Sequence, residues 1–234
     1  MTQSILAAAI EAVTSELVIQ MADTPDLVKE AQRLRHQVYC LERGYKPGLD
    51  GLEIDAYDAH SDHIVLRLAG SGTVIGTARL ILPQVANPGD SFPLQGICSP
   101  GLFAALPFRH TAEISRFAMS RERGELSAAA ASLSRLALVR GLVQLSQRQG
   151  VTHWCAVMER TLLRLLRASA IHFDHMGPVV EYYGLRQPAS CNLTVMLNRM
   201  RGEQLEVWNF VTNHGAFSPR QAAPVLEWRQ RQAA

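Results

Sequence analysis

Cysteine is scarce and poorly placed for bridging. The four in this 234-residue chain, Cys40, Cys98, Cys155 and Cys191, lie far apart, with no Cys-x-x-Cys pair and no metal-ligand spacing. A disulfide scaffold is excluded as the organising device, and a reduced cytosolic protein is the simplest account. Charge is sparse too, at 19% of residues and a net +2. That balance gives no global reason to expect nucleic acid, although a local basic patch can still meet an acidic protein. No uninterrupted apolar run reaches the roughly 18 residues of a membrane span. The apolar start has no Lys or Arg ahead of it and meets Glu11 and Glu16 at once, which argues against a secretory signal. Internal repeats and domain linkers are also missing, so one domain over 1–234 is expected. Apolar residues are ample at 47%, enough for a substantial core and too many for a disordered chain.

Taken in order, residues 4–16 read as an Ala-rich helix and 17–21 as a strand. Thr24 is a good N-cap and Pro25 suits a first helical turn, so a helix is expected from there to Tyr39, with Arg35 beside its apolar stripe and Arg33 on a solvated face. Residues 42–61 form a long polar connection in which Glu53, Asp55 and Asp58 cluster. Without calcium-loop spacing, three such carboxylates fit a cationic ligand or an arginine better than a metal. Strands at 63–68 and 73–82 flank a Gly-containing turn, and the second carries Arg79 in apolar company. Its Gly70-x-Gly72-x-x-x-Gly76 pattern precedes a strand rather than a helix, so it is not a dinucleotide fingerprint. Residues 83–107 read as an irregular excursion with short helical turns, and 96–101 departs from a hydrolase nucleophile elbow by one residue and by Pro100.

A strand is expected at 111–119, then a basic turn with Arg121 and Arg123, a helix at 126–148 closed by Gly150, a buried strand at 151–158 and a helix at 160–169. Residues 173–178 are ambiguous, 179–184 read as extended, 193–197 and 206–211 as strands, and 224–231 as a helical tail. This order points to a sheet covered by helices, α/β or α+β. His60-x-x-His63 and His172-x-x-His175 lie on no helix with a third ligand, so no metal is expected.

The segment 113–119 organises the rest. It sets a carboxylate, a hydroxyl and a guanidinium between apolar residues, and strand alternation assigns Glu113, Ser115 and Phe117 to one face and Ile114, Arg116 and Ala118 to the other. Buried charge requires an opposite partner, which leaves open both a structural ion pair and a functional site. Arg35, Arg79 and Arg116, together with Glu113 and the acidic cluster, imply a cleft of opposed charges suited to a small zwitterionic ligand.

Arg35 in RLRHQVYCLERG, Asp55 and Asp58 in EIDAYDAHSDHIV, Arg79 in IGTARLILP, and Glu113, Ser115 and Arg116 in AEISRFAMS together resemble the signature of the acyl-homoserine-lactone synthases, over roughly residues 34–120. The continuation THWCAVMERTLLRLLRASAIHFDHMGPVVEYYGLRQP is more similar to a sister group, the N-acyl amino acid synthase-like acyltransferases found with the exosortase (PEP-CTERM) system. The resemblance implies a GNAT acyltransferase fold, a three-layer α/β/α sandwich with a bent mixed sheet splayed to admit a pantetheine-bound acyl chain. It implies attack of an amino group on a fatty acyl thioester. Glu113, Ser115 and Arg116 would then be catalytic, with Glu113 helping to deprotonate the amine and Ser115 orienting its neighbours.

By the same resemblance, Arg35, Asp55, Asp58 and Arg79 would organise the amine substrate and a mobile loop, and Phe117, Trp154, Val157 and Met158 are candidates for an acyl tunnel. No tightly bound cofactor is implied, only acyl-phosphopantetheine as co-substrate, on an acyl carrier protein or coenzyme A. The turn with Arg121 and Arg123 lacks the glycine-rich pattern usual for coenzyme A, which favours the carrier protein as partner. The acceptor would be an amino acid or related small amine. Two other readings compete: an acyl-homoserine-lactone synthase using S-adenosylmethionine, and a non-catalytic acyl-binding protein, which would have no need of Glu113.

Overall fold

The computed structural model describes residues 3–45, 50–121, 124 and 126–218. Helix α1 (Gln3–Glu16) runs directly into β1 (Leu17–Met21). Helix α2 (Pro25–Arg35) begins as its sequence requires: the Thr24 side chain accepts a hydrogen bond from the Leu27 amide at 3.4 Å, and Pro25 fills a position whose N–H would have no helical partner. The helix was expected to reach Tyr39 as one regular element. Instead the chain widens into a π-helix over His36–Glu42, a rare geometry that frequently marks functional sites.

Strands β2 (Ser61–Leu68) and β3 (Val74–Ile81) form the expected hairpin, and the irregular stretch after them carries the expected short helical turns up to β4 (Thr111–Met119). Helix α3 (Ala128–Gln149) is capped by the Ser127 hydroxyl and stopped by Gly150 at φ 66°, a left-handed conformation that glycine adopts without strain. Then follow β5 (His153–Met158), α4 (Arg160–Arg167), the two-residue strands β6 (Asp174–His175) and β7 (Val180–Glu181), β8 (Leu185–Asn192), α5 (Leu193–Glu203) and α6 (Leu205–Thr212).

Two sequence expectations are corrected here. Residues 193–197 and 206–211 are helical, because the Asn192 side chain caps Val195 and because Leu193, Met196, Leu197 and Met200 recur at helical spacing toward the core. Strand β8 had no sequence counterpart, since Pro188 within it argues against a ladder position. The expected helical tail at 224–231 lies outside the described residues, as does Arg123.

The sheet runs β1-β2-β3-β4-β5-β8-β6, with β7 on β8, and is antiparallel except between β4 and β5. That parallel pair holds for only three positions, Thr111 with His153, Ala112 with Trp154 and Glu113 with Cys155. Beyond Glu113 the two strands part, and the sheet becomes a fork with Glu113 at its apex. Helices α1, α3 and α6 pack on one face and bury the main core, including Ile64, Leu80, Leu142, Trp154 and Phe210. On the other face Leu34 of α2 and Val38 of the π-helix form a small cluster on Ala118 of β4, and the irregular segment contributes Leu94 against Cys155 and Met176. The result is the layered arrangement of helices about a mixed sheet that the sequence led us to expect. Among the described residues α3 is the one helix long and apolar enough to cross a membrane, and 61% of its apolar window is buried beneath the sheet.

Close approach of α3 to the sheet depends on Gly141. A Cβ there would lie 2.6 Å from Ile64 Cδ1 and 3.1 Å from Ile19 Cγ2. Gly141→Val is therefore expected to lower the unfolding free energy by about 1–3 kcal/mol through overpacking, as measured by urea denaturation.

Candidate active site

The residues singled out from the sequence fall into two connected groups. The first is a buried lattice of charge. Arg35, on the last turn of α2, donates from Nε to Glu53 at 2.5 Å and from Nη1 and Nη2 to the two oxygens of Asp58 at 2.6 and 3.2 Å. Arg79 on β3 donates to Asp55 at 2.6 and 3.0 Å, to Asp58 at 2.8 Å, and from Nε to the Ser115 hydroxyl at 2.9 Å. Arg116 on β4 forks onto Glu53 at 2.8 and 2.9 Å and reaches Asp55 at 2.7 Å, with its guanidinium carbon 5.7 Å from the centre of the Tyr39 ring. Three guanidiniums thus face three carboxylates, and Arg35 and Arg79 have no solvent exposure. Bidentate, charge-assisted pairs of this kind offset the desolvation that isolated buried charges would suffer.

The lattice explains the long connection after α2. Asp55 caps the short helical turn Ala56–His60, and the Asp58 side chain accepts in return from the Asp55 amide at 3.0 Å. Burial by itself would raise the Asp58 pKa, but hydrogen bonds and charge from Arg35 and Arg79 hold it down to about 2. Asp55 is likewise held below the usual range against its burial, by Arg79 and then Arg116. His63, buried at the edge of the lattice with Nε2 3.6 Å from Asp58, is pushed down to about 4, first by burial. It is neutral at physiological pH, so the lattice stays balanced.

Strict alternation along β4 fails at Arg116. Arg79 pairs with Ser115 and Thr77 with Ala118, so β4 carries one more residue than β3 over this interval, and Arg116 takes φ 50°. This β-bulge turns Arg116 onto the face of Ser115 and the carboxylates, and it sends Phe117 to the opposite face, where it packs half-buried against the main core. The face assignment expected for these two residues is therefore exchanged.

The second group surrounds a cavity of about 390 Å³ that opens from the fork. Glu113, Ser115 and Arg116 line its polar end, while Phe117, Trp154, Val157 and Met158 contribute to apolar walls completed by Leu142, Leu162 and Phe173. Trp154 donates to the Ser146 hydroxyl at 2.8 Å and stacks on Phe173. Glu113 is 3% exposed. Burial pushes its carboxyl up to about 8, opposed by the Leu94 amide, which donates to Oε2 at 2.9 Å, and by Arg79 and Arg116. At neutral pH this carboxyl is mostly protonated, unlike its neighbours in the lattice.

Arg35, Asp55, Asp58 and Arg79 do not reach the cavity. They stand behind it and fix Arg116, Ser115 and the loop through 53–58. Arg121 lies at the mouth, 77% exposed and 3.8 Å from Glu42. Several residues at the mouth were not singled out from sequence. Arg43 and Arg186 both pair with Glu159, at 2.9 and 2.5 Å, and both donate to the Tyr45 hydroxyl. Tyr45 packs between Tyr39 and Tyr183, and Tyr182 meets Tyr183 edge-on. Glu53 had been noted within its acidic cluster, but its double role under Arg35 and Arg116 had no sequence signal. The Tyr182-Tyr183-Gly184 stretch, read from sequence only as extended, forms the turn between β7 and β8.

Comparison with known proteins gives consistent findings. Residues 34–131 match the model of the Acetyltransferase (GNAT) domain. An acyl-homoserine-lactone synthase from Ralstonia nicotianae is 26% identical over 150 residues, or 62% of this chain and 71% of that protein. Among solved structures, FeeM, an N-acyl amino acid synthase from uncultured soil microbes, superposes with a TM-score of 0.56 and 17% identity, over 78% of this chain and 93% of its own. BjaI, a CoA-dependent acyl-homoserine lactone synthase with S-adenosylmethionine (SAM) and isopentyl-CoA, superposes with a TM-score of 0.57 and 20% identity, over 85% and 99%.

The pKa directions fix a pH dependence of stability. Glu113 is raised in the folded state, so the folded chain holds its proton more tightly, and stability is lost as pH rises from about 4.5 to 8. Glu113→Gln removes that loss, and its stability relative to wild type, from denaturation at a series of pH values, is expected to grow across this window. Asp58 has the opposite sign, its contribution being lost as pH falls from 3.8 toward 2. Glu53→Ala, which strips a carboxylate from both Arg35 and Arg116, is expected to destabilise the fold by about 3–5 kcal/mol.

Proposed function

We propose, from the premise that this chain is an N-acyltransferase with a GNAT domain and is related to the acyl-homoserine-lactone synthases, that it moves a fatty acyl group from a phosphopantetheine thioester to the amino group of an amino acid or related small amine. The observation that carries this reading is the fork between β4 and β5, with a buried titratable carboxylate at its apex and an apolar cavity leading away. A thioester seated in the fork has its acyl chain in the apolar walls and its carbonyl near Glu113.

The chemistry follows from the groups present. An ammonium has no lone pair, so the acceptor must lose a proton before it attacks. Glu113 as a carboxylate takes that proton, directly or through water. The bond from nitrogen to the acyl carbon forms, the bond to sulfur breaks, and the carrier thiol leaves. Arg116 presents positive charge at the polar end of the cavity and stabilises the oxyanion that develops on the acyl carbonyl. Ser115, held by Arg79, keeps that end in register. Arg35, Asp55, Asp58 and Arg79 act through the lattice as positioning residues, and not by touching the substrate.

An acyl carrier protein is the donor we favour, with Arg121 at the mouth meeting its phosphate or acidic surface. The reaction belongs to a reducing compartment, the cytoplasm, which suits four widely spaced cysteines with no Cys-x-x-Cys pair. We treat residues 1–234 as one catalytic domain with an extended C-terminal portion. The C-terminal stretch GPVVEYYGLRQP, similar to the exosortase-associated group, inclines the acceptor toward an amino acid. The likeness to the Ralstonia acyl-homoserine-lactone synthase, and to BjaI with its bound SAM, supports S-adenosylmethionine as the alternative acceptor.

Mass spectrometry of lipid extracts from cells expressing the wild-type chain beside Glu113→Gln tests the reading. A fatty acyl amide present only with wild type is expected, and its head group names the acceptor. Purified protein given acyl carrier and S-adenosylmethionine separates the alternative, which requires release of methylthioadenosine. No acyl amide from folded protein supplied with donor would return the chain to the non-catalytic acyl-binding reading. In the purified reaction kcat/KM is expected to rise with pH through about 8, as Glu113 ionises, and Glu113→Gln to lower kcat about 10²- to 10⁴-fold.

A further inference from the structure

Helix α4 divides its residues RTLLRLLR between two faces. Leu162 and Leu166 look inward, where with Thr161 and Leu165 they line the cavity and with Leu163 they join the main core. Arg160, Arg164 and Arg167, spaced by four and by three, share one arc of the outer surface, and all three are exposed. Among the described residues none of the three has a carboxylate within ion-pair distance, whereas Arg43, Arg67, Arg186 and Arg199 each have one.

The stripe does not serve the helix itself. Like charges at these spacings repel one another. Arg160 also stands in the first turn, at the positive end of the helix dipole, with no acidic residue there to offset it. Such a cluster is stabilised by anions supplied from outside. The surface beside it is apolar. Leu165 is half-exposed at the rim of the cavity, as is Tyr183, and Leu185 has 70% of its surface in water. Tyr183 and Leu185 stand at the turn of the β7–β8 hairpin. Arg186 of that hairpin pairs at 2.5 Å with Glu159, the residue that opens α4, so helix and hairpin form one continuous stretch of rim.

We propose that the outer face of α4 and the tip of the β7–β8 hairpin dock on an anionic phospholipid bilayer, with the arginines on headgroup phosphates and Leu165, Tyr183 and Leu185 at the hydrocarbon boundary. Guanidinium forks match phosphate oxygens, and tyrosine and leucine beside them suit the water–lipid interface. An acidic protein would meet the same charges, but apolar side chains exposed around the opening of an apolar cavity favour lipid. Arg121, assigned above to the carrier protein, follows β4 and belongs to the other arm of the fork. The inference goes beyond the acyl-transfer reading and gives its product an outlet. A fatty acyl amide leaving into water would expose its whole chain, whereas a mouth resting on a bilayer passes the chain from one apolar medium to another.

Sedimentation with vesicles tests the docking without any turnover. The full-length protein is mixed with vesicles of phosphatidylcholine alone and of phosphatidylcholine and phosphatidylglycerol in equal parts. Wild type is expected to sediment with the mixed vesicles and to stay in solution with the neutral ones. The triple variant Arg160→Gln, Arg164→Gln, Arg167→Gln is expected to bind the mixed vesicles about 100-fold more weakly, roughly fivefold for each arginine. A second triple variant, Lys29→Gln, Arg33→Gln, Arg109→Gln, removes the same charge from other exposed positions and is expected to stay within about threefold of wild type. Both variants are expected to keep the circular dichroism spectrum of wild type and its rate of acyl transfer from a soluble N-acetylcysteamine thioester. Failure of wild type to bind, equal binding to neutral vesicles, or equal losses in the two variants overturns docking through α4. An α4 variant that keeps its vesicle affinity and instead raises KM for acyl carrier protein makes the stripe a protein-binding surface and also overturns it. Wild type that binds the mixed vesicles and transfers no acyl group overturns the transferase reading and leaves the docking intact.

Discussion

Everything at this site depends on the mutual neutralisation of three buried guanidiniums and three carboxylates. The six groups come from four places in the chain: α2, the connection after it, β3 and β4. None could be buried alone, because a single desolvated charge is prohibitive. Their meeting therefore ties residues 53–58 of a long polar loop to the sheet through charge. It also holds Arg116 in a left-handed conformation that costs a non-glycine residue about 1–2 kcal/mol. The bulge and the lattice depend on each other: without the bulge Arg116 would face the core, and without the carboxylates nothing would favour the bulge.

The same strand keeps two kinds of carboxyl environment a short distance apart. In the lattice, Asp55 and Asp58 are saturated by arginine and stay ionised to low pH. At the apex of the fork, Glu113 has one backbone amide and distant charge, so burial prevails and its proton is retained to about pH 8. Environments that drive neighbouring acids in opposite directions are what acid–base chemistry requires. The lattice supplies rigidity and leaves titration to Glu113. The fork then gives that carboxyl access to a cavity whose remaining walls are mostly hydrocarbon.

Much of the architecture was legible because local chemistry and tertiary structure agree. Thr24 and Pro25 opening α2, Gly150 closing α3, and the turn between β2 and β3 each act through their immediate neighbours. The opposed charges of Arg35, Arg79 and Arg116 and of the cluster at 53–58 were legible as a group. Their pairing was not, since it is fixed by strand register and the bulge, which no local pattern encodes. Pro188 concealed β8, and short apolar windows at 193–197 and 206–211 suited a strand as well as a helix until the Asn192 cap and the helical spacing out to Met200 were seen. The mouth was hidden for another reason. Tyr45, Glu159, Tyr182 and Arg186 are brought together only by the folding of distant segments.

The π-helix at His36–Glu42 gives the chain a separable weakness. A π turn accommodates one residue more than an α turn over the same rise, so loss of a single residue between His36 and Glu42 would let the segment relax into an ordinary helix continuous with α2. The fold would lose little, since this segment adds only Val38 to the fully buried residues. The site would lose its alignment, because Tyr39 would swing away from the Arg116 guanidinium and Glu42 from the mouth. Within these seven residues the helical register serves the mouth more than the core, so a chain that has shed one of them is expected to keep its fold and to lose the alignment of Tyr39 with Arg116.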